Sequence, residues 1–329
     1  MTDEFLSGLK NCELCEWRCR VNRLEGESGI CMMEEPKVAS TTLHPAPPQS
    51  YTVFMAGCNF RCLNCQNWGI AHFPEQNTRV RGYIKPEELA EEAVSKINSR
   101  RGDMIGADRI FFSGGSPTPS LPYVERVVEE TKKLDVKINY DTNGFMTSSS
   151  LKRVIEIADS ITFDIKAFRD KIHKELTGAP VKPVLRNAKR IAEEAEGKLW
   201  EFRYLLIPGI NENDVEPLAR FLSRIDEELP LNFLAFRPNF VMENYRGAKE
   251  EEMTEAVRKA EKNGLENVSW SGRTGLTGKT VLKKDDRPSA ERARDIAEER
   301  GCIKRKRNCG NCAVFKDCDI KSYRPSRRR

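Results

Sequence analysis

The chain is organised around residues 56–67, which read AGCNFRCLNCQN and place Cys58, Cys62 and Cys65 in the spacing CxxxCxxC. Cysteine thiolates are the usual protein ligands of iron–sulfur clusters. Three thiolates can hold three irons of a [4Fe-4S] cluster, and because this loop has no fourth cysteine, the fourth iron would stay open to a ligand that offers an amine and a carboxylate. A zinc knuckle or a structural tetrathiolate site is the alternative interpretation of these residues.

Around this loop, short apolar runs alternate with longer amphipathic runs. The runs predicted as strands are residues 51–55, 109–112, 136–140, 161–165, 202–207 and 233–236, each followed by a helical pattern. Repeated strand–helix units predict a parallel sheet with right-handed connections. Six such units suggest an α/β fold of the partial (β/α)6 TIM-type barrel, with function at the carboxyl ends of the strands. Periodicity alone fits a doubly wound sheet equally well.

Glycines and polar residues mark four of the predicted strands. These stretches are Ser113-Gly114-Gly115-Ser116, Asp141-Thr142-Asn143-Gly144, Asp164-Ile165-Lys166, and Arg203 followed by Pro208-Gly209-Ile210-Asn211. With the cysteine loop, and in this order, they resemble the motifs of radical S-adenosylmethionine (SAM) enzymes, in particular the relatives of pyruvate formate-lyase activating enzyme. The resemblance covers roughly residues 50–285 and selects the partial barrel over the doubly wound sheet.

The resemblance implies a [4Fe-4S] cluster on the three loop cysteines and SAM as a second cofactor. It implies contacts to the amino group of SAM from Gly114, Gly115 and Ser116, and to its ribose from Asn143. It also places Asp164 and Lys166 near SAM and makes Arg203 a candidate for binding its carboxylate. Two positions depart from the family pattern: Ser116 stands where the family has glutamate, and Asn64 stands where an aromatic residue is usual. As bare residues, the paired glycines could form an ordinary turn, and Asp164 with Lys166 could be a buried structural ion pair.

The remaining cysteines form two groups of four. The N-terminal group is Cys12, Cys15, Cys19 and Cys31, and the C-terminal group is Cys302, Cys309, Cys312 and Cys318. The short N-terminal segment could hardly bury a core, so a metal would supply its folding free energy. It resembles the leader of an uncharacterised branch of the activating-enzyme relatives, and the C-terminal group resembles part of the SPASM extension, which carries an auxiliary cluster. Zinc, a single iron and a cubane all accept four thiolates, so spacing alone does not choose between them. The resemblance to SPASM implies a cubane at the C-terminal group, whereas at the N-terminal group we expect a metal, as an auxiliary cluster or zinc.

Composition bounds the class of protein. Hydrophobic residues make up 39% of the 329 residues and charged residues 32%, which permits a sizeable core. The domains we expect are a leader over 1–49, a core over 50–285 and a C-terminal extension with a basic tail over 286–329. No apolar run is long enough to span a membrane and the first residues lack a signal-peptide pattern, so we expect a cytoplasmic protein.

These patterns predict an enzyme that cleaves SAM reductively to a 5′-deoxyadenosyl radical, which then abstracts hydrogen from a substrate. The sequence does not name that substrate; we expect a protein or peptide, modified by glycyl-radical activation or another reaction. Radical methylation of a protein is one alternative. A non-catalytic iron–sulfur or zinc protein that binds nucleic acid is an alternative of another class, which the ordered strand-end motifs oppose. The expected partners are SAM, the protein or peptide substrate and a one-electron reductant such as ferredoxin or flavodoxin, but neither nucleic acid nor a membrane.

Overall fold

The computed structural model describes residues 4–73, 78–132, 134–243 and 245–276. The C-terminal group of cysteines (Cys302, Cys309, Cys312 and Cys318), the predicted domain over 286–329 and its basic tail lie outside these residues. The predicted domain boundaries stay predictions. Within the described residues, no helix is both long enough and apolar enough to cross a membrane.

Strands and helices alternate along the described chain. The strands are β1 (Val38–His44), β2 (Ser50–Met55), β3 (Arg109–Gly114), β4 (Lys137–Thr142), β5 (Ser160–Ile165), β6 (Leu199–Leu206), β7 (Leu231–Ala235) and β8 (Val268–Ser271). The α-helices are α1 (Trp68–Ala71), α2 (Pro86–Ile97), α3 (Arg100–Ile105), α4 (Leu121–Thr131), α5 (Ser148–Ile157), α6 (Asp170–Thr177), α7 (Lys182–Glu194), α8 (Val215–Ser223) and α9 (Glu250–Lys262).

The strands follow chain order, β1 to β8, in an eight-stranded sheet. β2, β3 and β4 pair in parallel, as do β6, β7 and β8, whereas β1 runs antiparallel to β2. The six predicted strands are confirmed as β2 to β7. The two outermost strands were not predicted, because β1 and β8 are partly exposed and lack the continuous apolar runs of the buried strands.

The described chain forms two compact units. The first comprises the described residues of 1–59 and 67–162, and the second comprises Phe60–Gln66 and the described residues from Phe163 onward. The boundary at Asn59 falls inside the cysteine loop, so Cys58 belongs to the first unit and the other two loop cysteines belong to the second.

In the first unit, the register aligns the carboxyl ends of neighbouring strands. Met55 of β2 lies opposite Gly114 of β3, and Phe112 of β3 lies opposite Tyr140 of β4. Helix α2 begins with Pro86 in its first turn, as the sequence predicts, and buries an apolar face that includes Leu89. The residues that follow β2, β3 and β4 therefore come out at one edge of the sheet.

A polar network joins β1, β2 and α2 in this unit. Arg81 donates through Nη1 and Nη2 to the two carboxylate oxygens of Glu92, at 2.8 Å and 2.7 Å. The hydroxyl of Tyr51 also donates to Glu92, and Thr41 donates to it at 3.2 Å. The hydrogen bonds from Arg81 come first among the causes that lower the pKa of Glu92 from 4.5 to about 2, whereas burial raises the pKa of Tyr51 to about 12.

In the second unit, aromatic side chains of β5, β6 and β7 pack against one another. Phe163 packs edge-on against Phe202 with ring centroids 5.6 Å apart, and Tyr204 packs against Phe233 at 6.0 Å. Leu206 of β6 lies opposite Ala235 of β7, so both strands end at the same level. This level is the carboxyl edge of the second unit, where the sequence predicts function.

Candidate active site

The paired glycines after β3 pack closely against the end of β2. An ideal Cβ on Gly114 would lie 2.3 Å from the backbone nitrogen of Met55, and one on Gly115 would lie 2.1 Å from the carbonyl oxygen of Gly57. Gly114 also has φ +116°, a region that side chains rarely adopt. Glycine is thus required here to bring the end of β3 against the backbone directly before Cys58.

Ser116 occupies the position where the resembled family has glutamate. Its backbone N–H donates to the carbonyl of Gly57 at 2.9 Å. The side chain is 3% exposed, and its Oγ has no hydrogen-bond partner among the described residues. A buried hydroxyl is normally satisfied, so the orphaned Oγ is a candidate for a hydrogen bond to a ligand.

Cys58 and the residue after it are held by the end of β4. Asn59 donates from Nδ2 to the carbonyl of Phe145 at 2.9 Å and accepts at Oδ1 from Nδ2 of Asn143 at 2.8 Å. The same Nδ2 of Asn143 lies 3.9 Å from Sγ of Cys58, and Oδ1 of Asn143 accepts from the backbone N–H of Phe145 at 3.1 Å. Asn143 therefore positions the loop in this structure, and its predicted contact with ribose stays a prediction.

The N-terminal leader reaches this loop through a tryptophan. Nε1 of Trp17 donates to the backbone carbonyl of Asn59 at 2.7 Å, and its ring packs on Phe145 at 5.2 Å. Nearby, Cys15 forms an isolated antiparallel bridge with Met146. The leader thus contacts both the cysteine loop and the segment that follows β4.

Cysteines of the leader lie in one buried neighbourhood. Burial raises the pKa of the Cys15 thiol, a hydrogen bond from the backbone of Trp17 lowers it, and the charges of Cys31, Cys19 and Cys12 raise it. Burial likewise raises the pKa of Cys19, opposed by a backbone hydrogen bond from Ile30. The predicted N-terminal group therefore lies together in the folded chain, and the metal expected there stays a prediction.

In the second unit, the remainder of the cysteine loop is held by its backbone. The N–H groups of Arg61 and Leu63 donate to the carbonyls of Thr177 and Leu176, at 3.0 Å and 2.9 Å. Beyond β7, Nδ2 of Asn239 donates to the carbonyl of Cys65 at 2.8 Å. Segment 60–66 is fixed in this way at the end of α6 and at the residues after β7.

Asp164 and Lys166 form an ion pair with Nζ and Oδ2 2.8 Å apart, and their side chains are 20% and 23% exposed. A partly exposed pair of this kind can reorganise around a ligand, so a role in binding SAM stays a prediction.

Arg203 donates from Nε to Glu201 at 2.5 Å. The other carboxylate oxygen of Glu201 accepts from Nδ2 of Asn232 at 3.2 Å, and Asn232 also donates to Ser271 at 3.2 Å. This row of hydrogen bonds continues from β6 across β7 to β8. The carboxylate contact predicted for Arg203 stays a prediction.

None of the seven described cysteines forms a disulfide with another described cysteine. Within the described residues, no three histidine, cysteine, aspartate or glutamate side chains lie as close together as the ligands of a single metal ion.

Sequence reasoning missed several residues that build the site. Asn239 lies three residues after the predicted strand 233–236, in the loop at the carboxyl end of a strand where functional residues gather in this kind of fold, so the sequence offered a signal for it. Trp17 lies between two leader cysteines, and no local pattern indicates that its indole reaches Asn59, which is 42 residues away in the chain. Glu201 precedes Arg203 by two positions on one strand, so the same side of the strand carries both charges.

Comparison with known families identifies the chain. The model of the Radical SAM superfamily matches residues 52–222, just over half of the sequence. The chain belongs to the radical SAM superfamily. It is an enzyme of that superfamily, and the match confirms the predicted α/β fold of the partial-barrel type.

The relatives include proteins with and without an assigned activity. The uncharacterised protein MJ0674 of Methanocaldococcus jannaschii is 28% identical over 79% of this chain and 77% of its own length. The pyruvate formate-lyase-activating enzyme of Staphylococcus epidermidis is 25% identical over 66% of this chain and 91% of its own. Among solved structures, a domain of pyruvate-formate lyase-activating enzyme from Bacteroides vulgatus has 20% identity and a TM-score of 0.43, covering 50% of this chain and 100% of that domain. This radical SAM enzyme is thus similar to the activating enzymes, as its motifs predict.

Proposed function

We propose that this radical SAM enzyme binds a [4Fe-4S] cluster through Cys58, Cys62 and Cys65 and cleaves SAM reductively. Membership of the superfamily implies both cofactors, and the spacing CxxxCxxC supplies three thiolates from one loop. When bound, such a cluster supplies one electron to the sulfonium of SAM, releasing methionine and a 5′-deoxyadenosyl radical. A ferredoxin or flavodoxin is the class of reductant that would deliver this electron.

The described surroundings fit thiolate ligands. Cys58 is buried, and an amide N–H group of Asn143 lies 3.9 Å from its sulfur, where it would favour the thiolate. The loop is anchored through backbone groups of Asn59, Arg61, Leu63 and Cys65, so this anchoring does not require the sulfur atoms.

The observation that carries the proposal is the contact between the glycine motif and the cysteine loop. Gly115 and Ser116 pack on Gly57, the residue directly before Cys58. The two stretches that the family uses for SAM and for the cluster are therefore adjacent in the first unit. The buried Oγ of Ser116 suits a hydrogen bond to SAM rather than the ion pair that a glutamate would make. The residues we propose to contact SAM are Gly114, Gly115, Ser116, Asn143, Asp164, Lys166 and Arg203.

For the substrate, we propose a protein or peptide from which the radical abstracts hydrogen. This extends to the chain, at the level of substrate class only, what the name of the S. epidermidis relative says, since that enzyme activates another protein. Methyl transfer to a protein is kept as an outcome of the test below.

Anaerobic reconstitution with dithionite and SAM tests the first step. The wild-type chain should release 5′-deoxyadenosine, and the variant with all three loop cysteines changed to alanine should not. Equal release by both would refute the assignment of the cluster.

Adding a perdeuterated protein extract then tests the substrate class. Deuterium in the recovered 5′-deoxyadenosine would support abstraction from a protein. A SAM-derived methyl group on protein would favour methylation instead. If 5′-deoxyadenosine gains deuterium only when the protein-free small molecules of the same extract are supplied, a protein substrate is contradicted.

A further inference from the structure

The leader contains a buried guanidinium whose charge lacks a carboxylate. Arg23 is 1% exposed and donates to the backbone carbonyls of Met33, Glu34 and Pro119, at 2.7, 3.1 and 2.5 Å. Among the described residues it makes no ion pair, and its Nη2 has no acceptor. Because an uncompensated buried charge is strongly destabilising, the folded leader requires an anion beside this side chain.

The groups nearest to the charged end of Arg23 include leader cysteines. Nη1 lies 3.8 Å from Sγ of Cys12, and the guanidinium also acts electrostatically on Cys19. A neutral thiol does not balance a guanidinium. Four thiolates around a metal centre do, since a [4Fe-4S] cluster with four cysteines carries a net charge of about −2.

The backbone turns tightly around these cysteines. The N–H of Arg18 donates to the carbonyl of Cys15, and the N–H of Arg20 donates to that of Cys12, both at 3.0 Å. Gly29 allows the segment before Cys31 to pack on Cys19, because a Cβ at position 29 would lie 2.7 Å from Sγ of Cys19. Backbone turns and a glycine thus pack the leader closely around its cysteines.

We propose that Cys12, Cys15, Cys19 and Cys31 hold a four-iron cluster whose negative charge is balanced by Arg23. All four sulfurs belong to one neighbourhood, yet no three of the described ligand-type side chains are as close as one ion would need. A cubane takes its thiolates at wider spacing, which favours a cluster over a single zinc ion. All four ligands come from protein, so this centre offers no open position to a substrate.

The centre would also support the cysteine loop of the active site. Trp17, between two of the ligands, donates to Asn59. The carbonyl of Cys31 and the side chain of Met33 enclose Gly57. An ideal Cβ added to Gly57 would lie 3.0 Å from that carbonyl oxygen and 2.2 Å from Cγ of Met33. Binding of the cluster thus orders the segments that hold the residues on both sides of Cys58.

A full-length variant that keeps only the leader cysteines isolates the proposed centre. It carries alanine in place of Cys58, Cys62 and Cys65 and serine in place of Cys302, Cys309, Cys312 and Cys318. After anaerobic reconstitution with ferrous iron, sulfide and zinc together, we expect about four irons and four sulfides per chain. Cys15→Ser in this background should abolish them. Zinc without sulfide, or no metal in a chain with native circular dichroism, would overturn the proposal, and neither result depends on SAM cleavage.

Arg23 is tested in the same background by its charge. Reduction makes the cluster more negative, so Arg23→Met should lower its midpoint potential and speed iron loss to a chelator severalfold, whereas Arg23→Lys should restore the potential. Arg20→Met is the matched control, since that side chain is 69% exposed and pairs with Glu13 at the surface. Equal potentials and equal iron loss in the Arg23→Met and Arg20→Met variants would overturn the role of Arg23. If Arg23→Met does not fold, Arg23→Gln replaces it, because glutamine can still donate to a backbone carbonyl but carries no charge, and a potential equal to that of Arg20→Met would again overturn the role of Arg23.

Discussion

Replacing Gly115 with alanine tests the contact that joins the glycine motif to the cysteine loop. The added Cβ would lie 2.1 Å from the carbonyl oxygen of Gly57, and also 2.9 Å from Cα of Ala71. Both neighbours are backbone atoms, which cannot rotate away as a side chain does. Since Gly115 is outside the positive-φ region, the substitution introduces a steric conflict without a backbone preference of its own.

The size of the effect follows from two contributions. Overpacking of this kind costs about 1–3 kcal/mol. Moving the two segments apart also weakens the hydrogen bond from the N–H of Ser116 to Gly57, worth about 1 kcal/mol. We therefore expect Gly115→Ala to lower the free energy of unfolding by about 2–4 kcal/mol. Gly197→Ala is the matched control, because a Cβ at that position meets nothing within 4 Å, and its effect should stay within about 0.5 kcal/mol.

Anaerobic urea titrations followed by circular dichroism give both free energies. Iron content and the yield of 5′-deoxyadenosine are then measured on the folded variants. Gly115→Ala should lose iron from the active-site loop as well as SAM cleavage, since the displaced residue, Gly57, directly precedes Cys58. If Gly115→Ala is as stable as Gly197→Ala and retains the wild-type yield, the contact does not build the site.

Three further substitutions test two contacts of the cysteine loop and the polar network around Glu92. Trp17→Phe keeps an aromatic ring but removes the hydrogen bond to Asn59, so it should destabilise the first unit by about 1 kcal/mol in urea titrations and speed iron loss from the active-site loop. Asn239→Ala should speed iron loss to a chelator, whereas Asn267→Ala, which removes a similar hydrogen bond at an exposed site, should not. The pKa of Glu92 is lowered from 4.5 to about 2. The ionised carboxylate therefore contributes its full share of the free energy of unfolding above about pH 5, and this contribution is lost as the pH falls towards 2. Glu92→Gln should therefore cost about 2 kcal/mol at neutral pH, allowing for partial exposure, and the difference from wild type should shrink in acid.

The sequence predicts the parallel core well because each buried strand carries a strong local signal. β2 and β3 are nearly continuous apolar runs, and their ends carry the glycine and cysteine motifs. β8 has only four residues of alternating exposure, and β1 has a mixed polar pattern, so neither differs locally from a loop. Their pairing with buried neighbours, rather than propensity, makes them strands.

The candidate site is predictable in its motifs but not in its supporting contacts. CxxxCxxC is visible in the sequence, whereas the contact of Trp17 with Asn59 joins residues 42 positions apart and depends on the tertiary structure. The same holds for Arg23. Nothing in the sequence distinguishes it from the other basic residues, whereas in the structure it is buried and contacts Pro119, 96 residues away. Long-range contacts of single side chains have no periodicity to reveal them.

In the proposed site, Ser116 supplies no carboxylate for the ammonium of SAM, and we predict that Asp141 of the first unit supplies it. Asp141 follows Tyr140, which pairs with Phe112 on β3. It accepts a hydrogen bond at 2.5 Å from the hydroxyl of Ser113, the residue directly before the glycine pair. A charge-assisted hydrogen bond contributes about 1.5–3 kcal/mol, so Asp141→Asn should weaken SAM binding about 10- to 100-fold without changing iron content. Asp108→Asn, at the opposite end of β3, is the control, and calorimetry on the reconstituted enzyme measures both. Equal SAM affinity in the two variants would show that the ammonium is bound elsewhere and that no carboxylate on β4 binds it together with the hydroxyl of Ser116.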